Sequence, residues 1–477
     1  MIMNQHFAGQ FINRDRELKY LNSRYESGRP EFIIIYGRRR IGKTRLITEF
    51  LNGKTGIYFL SLDYSESENI RLLQQQMGDL LGDDSFTKMR IAGFEELFSE
   101  FFRWRQEEGR VVFVIDEFPH LIKLNRGIPS LFQRIWDLNL SGQNVMLLLS
   151  GSAIGMMETE VLGYGSPLYG RRSGQWRLDK LDFEHLRVLF PEYSVDDLVR
   201  VYGCTDSIPE YLLKFSPDID FWENLRMNFL SKGSFLYEDA NILLREEFRE
   251  PRNYMFILKT IAEGNRKLSE IANITKIDKG ALSRYLHNLM RVGIIDAELP
   301  APPTGTKKSK RSLYKIKDNY FKFYFRFVLP NKNNIEAEID ITPKIRRDYN
   351  QYLGFVFEEL IRDLIRQGKL DIGFLPDDCG AWWYRGDEIG IAATVSDADG
   401  SGQIFLGEVK WSDLTERDAA RLLNDLQRKS DLVRWHNDTR REHYGIFARR
   451  IEGKDALRRD CVYAFDLRDV DPVLKMR

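Results

Sequence analysis

Residues 32–44 read FIIIYGRRRIGKT, and no other stretch narrows the chain's fold so far. The unbroken apolar run from Phe32 to Tyr36 has the pattern of a strand buried on both faces. It runs directly into Gly37, Arg38, Arg39, Arg40, Ile41, Gly42, Lys43 and Thr44, which spell G-x-x-x-x-G-K-T. The glycines let backbone N–H groups turn inward around phosphates, and a helix from Arg45 onward would aim its positive end at them. Lys43 would reach the β- and γ-phosphates, and the Thr44 hydroxyl would hold Mg²⁺. The bland alternative is an ordinary glycine-containing strand-to-helix turn.

The residues downstream support the phosphate-loop reading. Residues 111–117 are five apolar residues followed by Asp116 and Glu117. At a strand's carboxyl end, Asp116 would hold Mg²⁺ through water, and Glu117 would polarise an attacking water. Residues 56–60 and 145–149 read as further strands, and residues 70–81 and 94–104 carry apolar residues at helical spacing. The last of these strands leads into Ser150-Gly151-Ser152, where a hydroxyl could sense a γ-phosphate. Asn13 would cap a helix bearing Leu18, Leu21 and Tyr25 on one face. Alternating strands and helices predict an α/β domain over residues 1–178, with a mostly parallel sheet and its ligand outside the strands' carboxyl ends. Arg171 and Arg172, in a glycine-flanked loop, suit a γ-phosphate clamp; the other reading is a plain surface turn.

A family resemblance rests on these residues. Phe11, Asn13, Arg14 and Glu17 contribute, with Tyr36-Gly37-Arg38-Arg39 and Gly42-Lys43-Thr44. So do Ile115-Asp116-Glu117-Phe118, Gly151-Ser152 with Met156-Met157-Glu158, and Pro167-Leu168-Tyr169-Gly170-Arg171. Together they resemble the archaeal-type ATPases of the STAND division, relatives of AAA+ proteins. The resemblance implies an ATP-driven switch that uses ATP and Mg²⁺, often extended by a winged helix and a C-terminal nuclease-like domain. The family's Gly-Gly-x-Pro-x-Tyr-Leu element stands here as residues 206–212, DSIPEYL, with both glycines replaced.

Residues 179–248 fit a helical lid, with Pro191 and Pro209 as breaks. Residues 249–330 read as a winged helix. One helix carries Tyr254, Ile257, Leu258 and Ile261 on one face and ends at Gly264. A second starts at Leu268, and Asp278 caps a third that turns Leu282, Leu286 and Leu289 inward. Residues 294–299 and 312–316 would form the wing. Residues 301–330 hold eight Lys/Arg against one acid, Asp318. Lys279, Ser283, Arg284 and His287 on the third helix, with Lys307, Lys308, Lys310 and Arg311 in the wing, are the candidate DNA contacts. The alternative is a packing module with a solvated basic loop. The aromatic run from Tyr320 to Phe327 reads as core.

Residues 331–477 read as another α/β domain. A helix over 352–365 contains Glu358, and residues 389–393 and 404–410 form a hairpin around Asp399-Gly400. Glu408 and Lys410 share a strand face. This resembles the PD-(D/E)xK nuclease core, also called restriction-endonuclease-like, with Glu358 as the helix carboxylate. Opposite Glu408, where that pattern wants aspartate, stands Gly390. Glu388 lies on the same face two residues along, roughly 6–7 Å away. The candidate site is therefore degenerate, and both an active and an inactive scaffold stay open.

At 477 residues the chain is too long for one core. A hydrophobic content of 43% and a charged content of 30% describe a soluble globular protein. Formal net charge is zero, so nucleic acid would be met by local patches. Cys204, Cys379 and Cys461 are far apart and point to a reducing compartment. No apolar run reaches membrane-spanning length and no signal-peptide core is visible, so the expectation is cytoplasmic, without a membrane partner. Three function classes follow: an ATP-hydrolysing switch acting on or near DNA, a DNA-binding or DNA-cleaving effector controlled by ATP, and a switch that engages itself or a protein partner without nucleic acid.

Overall fold

The apolar run forms strand β1, Glu31–Tyr36, buried along its whole length. In this computed structural model, which describes residues 14–106, 109–302, 312–396, 401–460 and 462–474, it lies inside a five-stranded sheet. The other strands are β2 (Gly56–Leu60), β3 (Val111–Asp116), β4 (Val145–Gly151) and β5 (Gly174–Arg177), in the order β2-β3-β4-β1-β5. All neighbours are parallel. The three interior strands are buried throughout and apolar except near their ends, at Glu31, Asp116 and Ser150, whereas the edge strands β2 and β5 are buried only in part. That is what a parallel sheet covered on both faces requires. Ile33, Ile35, Val112, Val114, Met146 and Leu148 share one core with Leu46, Ile47 and Phe50 of helix α2, Lys43–Leu51; helix α1, Asp15–Glu26, adds Leu21. Because the strands run the same way, the ends of β1, β3 and β4 meet at one edge of the sheet.

The chain divides into two compact units, Met1–Leu181 with Ile208–Glu210, and Asp182–Ser207 with Tyr211–Arg477. The regions read as lid, winged helix and C-terminal domain thus fall largely within one unit. The reason is visible in the aromatic run. Tyr320, Phe321, Phe323 and Tyr324 are buried, and Phe323 and Phe327 pack against Tyr349 and Tyr352 of helix α6, Thr342–Arg366. Tyr349 and Tyr352 in turn donate to the Arg200 and Gly203 carbonyls. One core therefore serves segments far apart in sequence, and α6 begins ten residues before its expected start.

Within this second unit, α3 (Pro251–Ala262), α4 (Leu268–Thr275) and α5 (Lys279–Arg291) precede the antiparallel pair β6 (Ile295–Glu298) and β7 (Leu313–Ile316). Asp278 accepts from Gly280 N and Ala281 N, and Leu282, Leu286 and Leu289 point inward. A mixed sheet follows, built from β8 (Asp378–Tyr384), β9 (Asp387–Ser396), β10 (Gly402–Leu414), β11 (Arg440–Ile451) and β12 (Tyr463–Phe465), in the order β12-β11-β10-β9-β8. Helix α7, Glu416–Ser430, packs on β10 and β11. Among the described residues no helix is long and apolar enough to cross a membrane. Phe11, Asn13, Lys307, Lys308, Lys310, Arg311, Asp399, Gly400 and Cys461 lie outside the described residues.

Asp206 and Ser207 stand where the resembling family has two glycines, and both adopt left-handed backbone, φ 54° and 55°. Each costs an L-residue about 1–2 kcal/mol. Ser207 Oγ is also buried with no hydrogen-bond partner among the described residues. Ser207→Gly should therefore stabilise the chain by about 1 kcal/mol, seen as a higher urea midpoint; a lower midpoint would show that the hydroxyl has a partner.

Candidate active site

The loop between β1 and α2 is shaped by two glycines. A Cβ on Gly37 would lie 2.3 Å from the Leu178 carbonyl oxygen, so no side chain fits. Gly42 caps α2 with φ 88°, a conformation that L-residues avoid. Arg40 is left-handed as well, φ 73°, and its side chain pairs with Glu210 at 3.2 Å. Arg38 and Arg39 are half-buried, and Ile41 is buried. Arg14 braces the loop by donating to Ile41 O at 2.9 Å and to Asp179 O at 2.7 Å. The Lys43 ammonium, buried, donates to Gly37 O at 2.9 Å and Arg38 O at 3.1 Å.

The acidic pair lies at the same edge. Asp116 Oδ2 accepts from Thr44 Oγ1 at 3.0 Å and from Tyr58 Oη at 2.5 Å, while Oδ1 accepts from Glu117 N at 2.9 Å. Glu117 is left-handed, φ 50°, and Ser61 Oγ bridges the Asp116 and Glu117 carbonyls at 2.6 and 2.7 Å. Ser152 N and Oγ both donate to Glu117 Oε2, at 3.3 and 2.8 Å. Ser150, paired with Ile35, is fully buried, and its hydroxyl has no partner among the described residues. The donor set fits a hard divalent cation: a hydroxyl and a carboxylate oxygen 3.0 Å apart, beside a loop shaped for phosphates.

The expected arginine clamp is not formed within this unit. Ser173 N donates to Phe32 O, so the chain reaches β5 at the amino end of β1, whereas the phosphate loop leaves the carboxyl end. Arg171 is paired with Asp137 at 3.0 Å, and Arg172 stacks over Tyr169 and donates to its carbonyl. Arg177, in register with Tyr36 at the end of β5, is the arginine nearer the loop, and the sequence reading passed over it. Tyr58 and Ser61 were also missed; the only signal for them was their position in and just after the strand beside β3.

The second unit holds the nuclease-like candidates. Pairing between β9 and β10 runs to Gly407 opposite Ile391, and one step on brings Glu408 to Gly390. Glu408 is paired with Lys410 at 2.5 Å. A Cβ on Gly390 would meet the Glu358 carboxyl at 3.4 Å. Beside Glu358 lies Arg362, which sequence reasoning missed although its i, i+4 spacing was visible. Its side chain is 3% exposed. It binds Glu358, Glu359 at 2.5 Å, Glu298 at 3.0 Å and the Gly390 carbonyl at 2.8 Å. Lys315 ties Glu298 and Glu359 together at 2.7 and 2.5 Å. These groups, with exposed Glu388, line a cavity of about 780 Å³. Among the described residues no group of three or more His, Cys, Asp or Glu side chains is disposed to hold a metal ion. Burial pushes the Glu358 carboxyl up to about 7; Arg362 opposes the rise, and Glu359, Glu388 and Glu408 add to it. Glu359, which burial alone would raise, is held at about 2 by Arg362 and Lys315. Elsewhere in this unit, Lys279, Ser283, Arg284 and His287 are all exposed on α5.

Comparison with known proteins bears on the first unit and on helices α3–α5. Residues 11–215 match a family described as an ATPase domain predominantly from Archaea. Residues 256–297 match bacterial regulatory proteins of the arsR family, and 324–422 match a family of archaeal and bacterial proteins of unknown function. The chain is 39% identical to the uncharacterized protein MJECL04 of Methanocaldococcus jannaschii, over 96% of its own length and 99% of that protein. A 44-residue stretch, 9% of this chain, is 48% identical to 75% of the uncharacterized ATP-binding protein MJ0423 of the same organism. The Walker-type ATPase PABY2304 of Pyrococcus abyssi shares the fold, with TM-score 0.53 and 23% identity over 66% of this chain and 96% of that one. The match to the ATPase domain family supports ATP binding and hydrolysis by the first unit, and the match to the arsR family supports a helix-turn-helix in the second.

The raised Glu358 carboxyl has a pH signature. A carboxyl with a folded value near 7 against an ordinary 4.5 favours the folded state while protonated; that contribution is lost as pH rises from about 4.5 to about 7. Urea midpoints of the native chain and Glu358→Gln should therefore shift in favour of the native chain as pH falls from 7.5 to 5. A difference that does not change with pH would show that Glu358 ionises at an ordinary value.

Proposed function

This chain belongs to the family of the Methanocaldococcus jannaschii protein MJECL04, and its residues 11–215 match an archaeal ATPase domain; from that premise we propose that it is an ATP-hydrolysing switch acting on or near DNA. The observation that carries the catalytic half is the contact between Thr44 Oγ1 and Asp116 Oδ2, beside buried Lys43 and next to Glu117. Phosphate oxygens would take over the Lys43 protons now donated to the Gly37 and Arg38 carbonyls. Backbone N–H groups of residues 37–44 and the α2 terminus would hold the rest of the triphosphate. Thr44 and Asp116 would hold Mg²⁺, which when bound neutralises charge on the β- and γ-phosphate oxygens. Glu117 accepts from Ser152 through Oε2; a γ-phosphate competing for the Ser152 hydroxyl would free that oxygen to take a proton from the attacking water. Arginine assistance, if it comes from Arg171 or Arg172, would have to reach another copy's site.

The DNA half rests on α5. Lys279, Arg284 and His287 lie exposed on the helix that would enter a groove, and the match to arsR-type regulators covers it. The root of the wing is engaged otherwise, with Glu298 and Lys315 joined to Glu359 and Arg362. We read the nuclease-like region as a scaffold with weak or no cleavage, because the Arg362 guanidinium occupies the Glu358 carboxyl and Gly390 supplies no carboxylate.

Lys43→Ala should abolish tight ATP binding, while Glu117→Gln keeps it and slows hydrolysis by roughly 10²–10⁴-fold. Fluorescent-nucleotide binding and single-turnover phosphate release separate the two; equal loss of affinity in both variants would contradict these roles. For DNA, neutralising Lys279 and Arg284 together should reduce the salt slope of duplex binding by about 1.8, with the duplex left intact in Mn²⁺. An unchanged slope would take α5 out of the interface, and robust cleavage would overturn the scaffold reading.

A further inference from the structure

Strand β2 carries a side chain that the phosphate loop alone does not call for. Tyr58 pairs with Val114 in the parallel register, so its ring lies on the same sheet face as Asp116, two residues further along β3. That offset is roughly 6.6 Å of strand, which a phenol spans and a short side chain does not. The ring packs against the core of the first unit, and only its hydroxyl reaches the site. Tyr58 Oη donates to Asp116 Oδ2 at 2.5 Å, the length of a charge-assisted O–H···O⁻ contact.

Asp116 is 2% exposed, and its acceptor directions can be accounted for. A carboxylate offers about four. Tyr58 Oη and Thr44 Oγ1 take those of Oδ2, and Glu117 N takes one of Oδ1. Among the described residues one remains, on Oδ1. We propose that Tyr58 is a positioning residue for the divalent cation of this site: by occupying Oδ2 it leaves Asp116 a single acceptor direction for the cation's hydration shell and prevents the carboxylate from rotating. The inference rests on the ATPase reading and names a residue that reading does not use. Without the phenol, Thr44 on Oδ2 and the Glu117 N–H on Oδ1 would leave a second acceptor direction of Oδ2 open; Tyr58, anchored in a different strand, closes it and adds a third point of attachment.

Tyr58→Phe keeps the ring and removes only the hydroxyl. In the full-length chain with saturating ADP, Mn²⁺ binding followed by the electron paramagnetic resonance of free Mn²⁺ should weaken about tenfold, the low end of what outer-shell partners of metal ligands contribute. ADP affinity measured in EDTA should match the native chain. Mn²⁺ affinity within twofold of native, with ADP binding intact, would overturn the role of Tyr58 and leave the ATPase reading standing. A loss of ADP affinity in EDTA as large as the loss in Mn²⁺ would make Tyr58 part of the packing and also overturn it. A native chain that binds no adenine nucleotide, with or without Mn²⁺, would overturn the ATPase reading and this inference with it.

Discussion

The chemistry of the first unit depends on the burial of one carboxylate. Asp116 is almost wholly removed from water, and a carboxylate in that position must be met by donors. They come from three parts of the chain: Thr44 at the start of α2, Tyr58 within β2 and the N–H of Glu117. Only the parallel sheet brings them together. β2 lies beside β3 and contributes the phenol, while β1, on the far side of β4, sends α2 back over the strand ends with its hydroxyl. The apolar interior strands fix the order of the sheet, and the order of the sheet fixes what surrounds the acid.

The second unit handles buried charge by the opposite route. Glu298, Glu358 and Glu359 converge on Arg362, with Lys315 closing the group. Removing one partner from such a network typically costs about 3–5 kcal/mol, because the others stay buried and unpaired. The network joins β6 and β7 to α6, and through the Gly390 carbonyl to β9. It anchors the root of the wing by charge pairing, while Lys279, Ser283, Arg284 and His287 of α5 stay exposed. A Cβ on Gly390 would meet the Glu358 carboxyl in ordinary van der Waals contact, so what glycine withholds there is a carboxylate, not room.

How much of this was legible in the sequence follows from where each signal resides. Strands β1, β3 and β4 were legible because burial on both faces leaves an unbroken apolar run. The helix-turn-helix was legible through its caps and leucine spacing, Asp278 with Leu282, Leu286 and Leu289. Strand β5 was not, since GQWR is short and half-exposed at a sheet edge. Missing it misplaced Arg171 and Arg172, which follow β4 in sequence but return to the other end of the sheet. Strand β11 was hidden by charges at its ends, with burial confined largely to residues 445–448. Tyr58 was illegible for another reason: its partner lies on a different strand, and register is not written in its own segment. For Arg362 the i, i+4 spacing to Glu358 was visible, but its contacts with Glu298 and the Gly390 carbonyl belong to other elements.

The strain at Glu117 and the bareness of Gly151 are two sides of one requirement. Left-handed backbone at a non-glycine residue persists only where its surroundings over-determine it. Here Ser61 supplies that constraint by bridging the Asp116 and Glu117 carbonyls, which lie on either side of the Glu117 Cα. A glycine at 117 would accept the conformation freely but would bring no carboxylate. The strain is thus the consequence of needing an acid where the chain must turn from β3 into the helix Phe118–Leu124. That helix then lies so close to the end of β4 that a Cβ on Gly151 would come within 2.7 Å of Pro119 Cδ, and Met157 Sδ, from the segment after β4, would stand at 2.6 Å. Only glycine permits the approach, and the approach is what delivers the Ser152 N–H and hydroxyl to Glu117 Oε2. The Asp-Glu after one strand and the Gly-Ser after the next are therefore one device, with the backbone rule broken at Glu117 and the steric room supplied at Gly151.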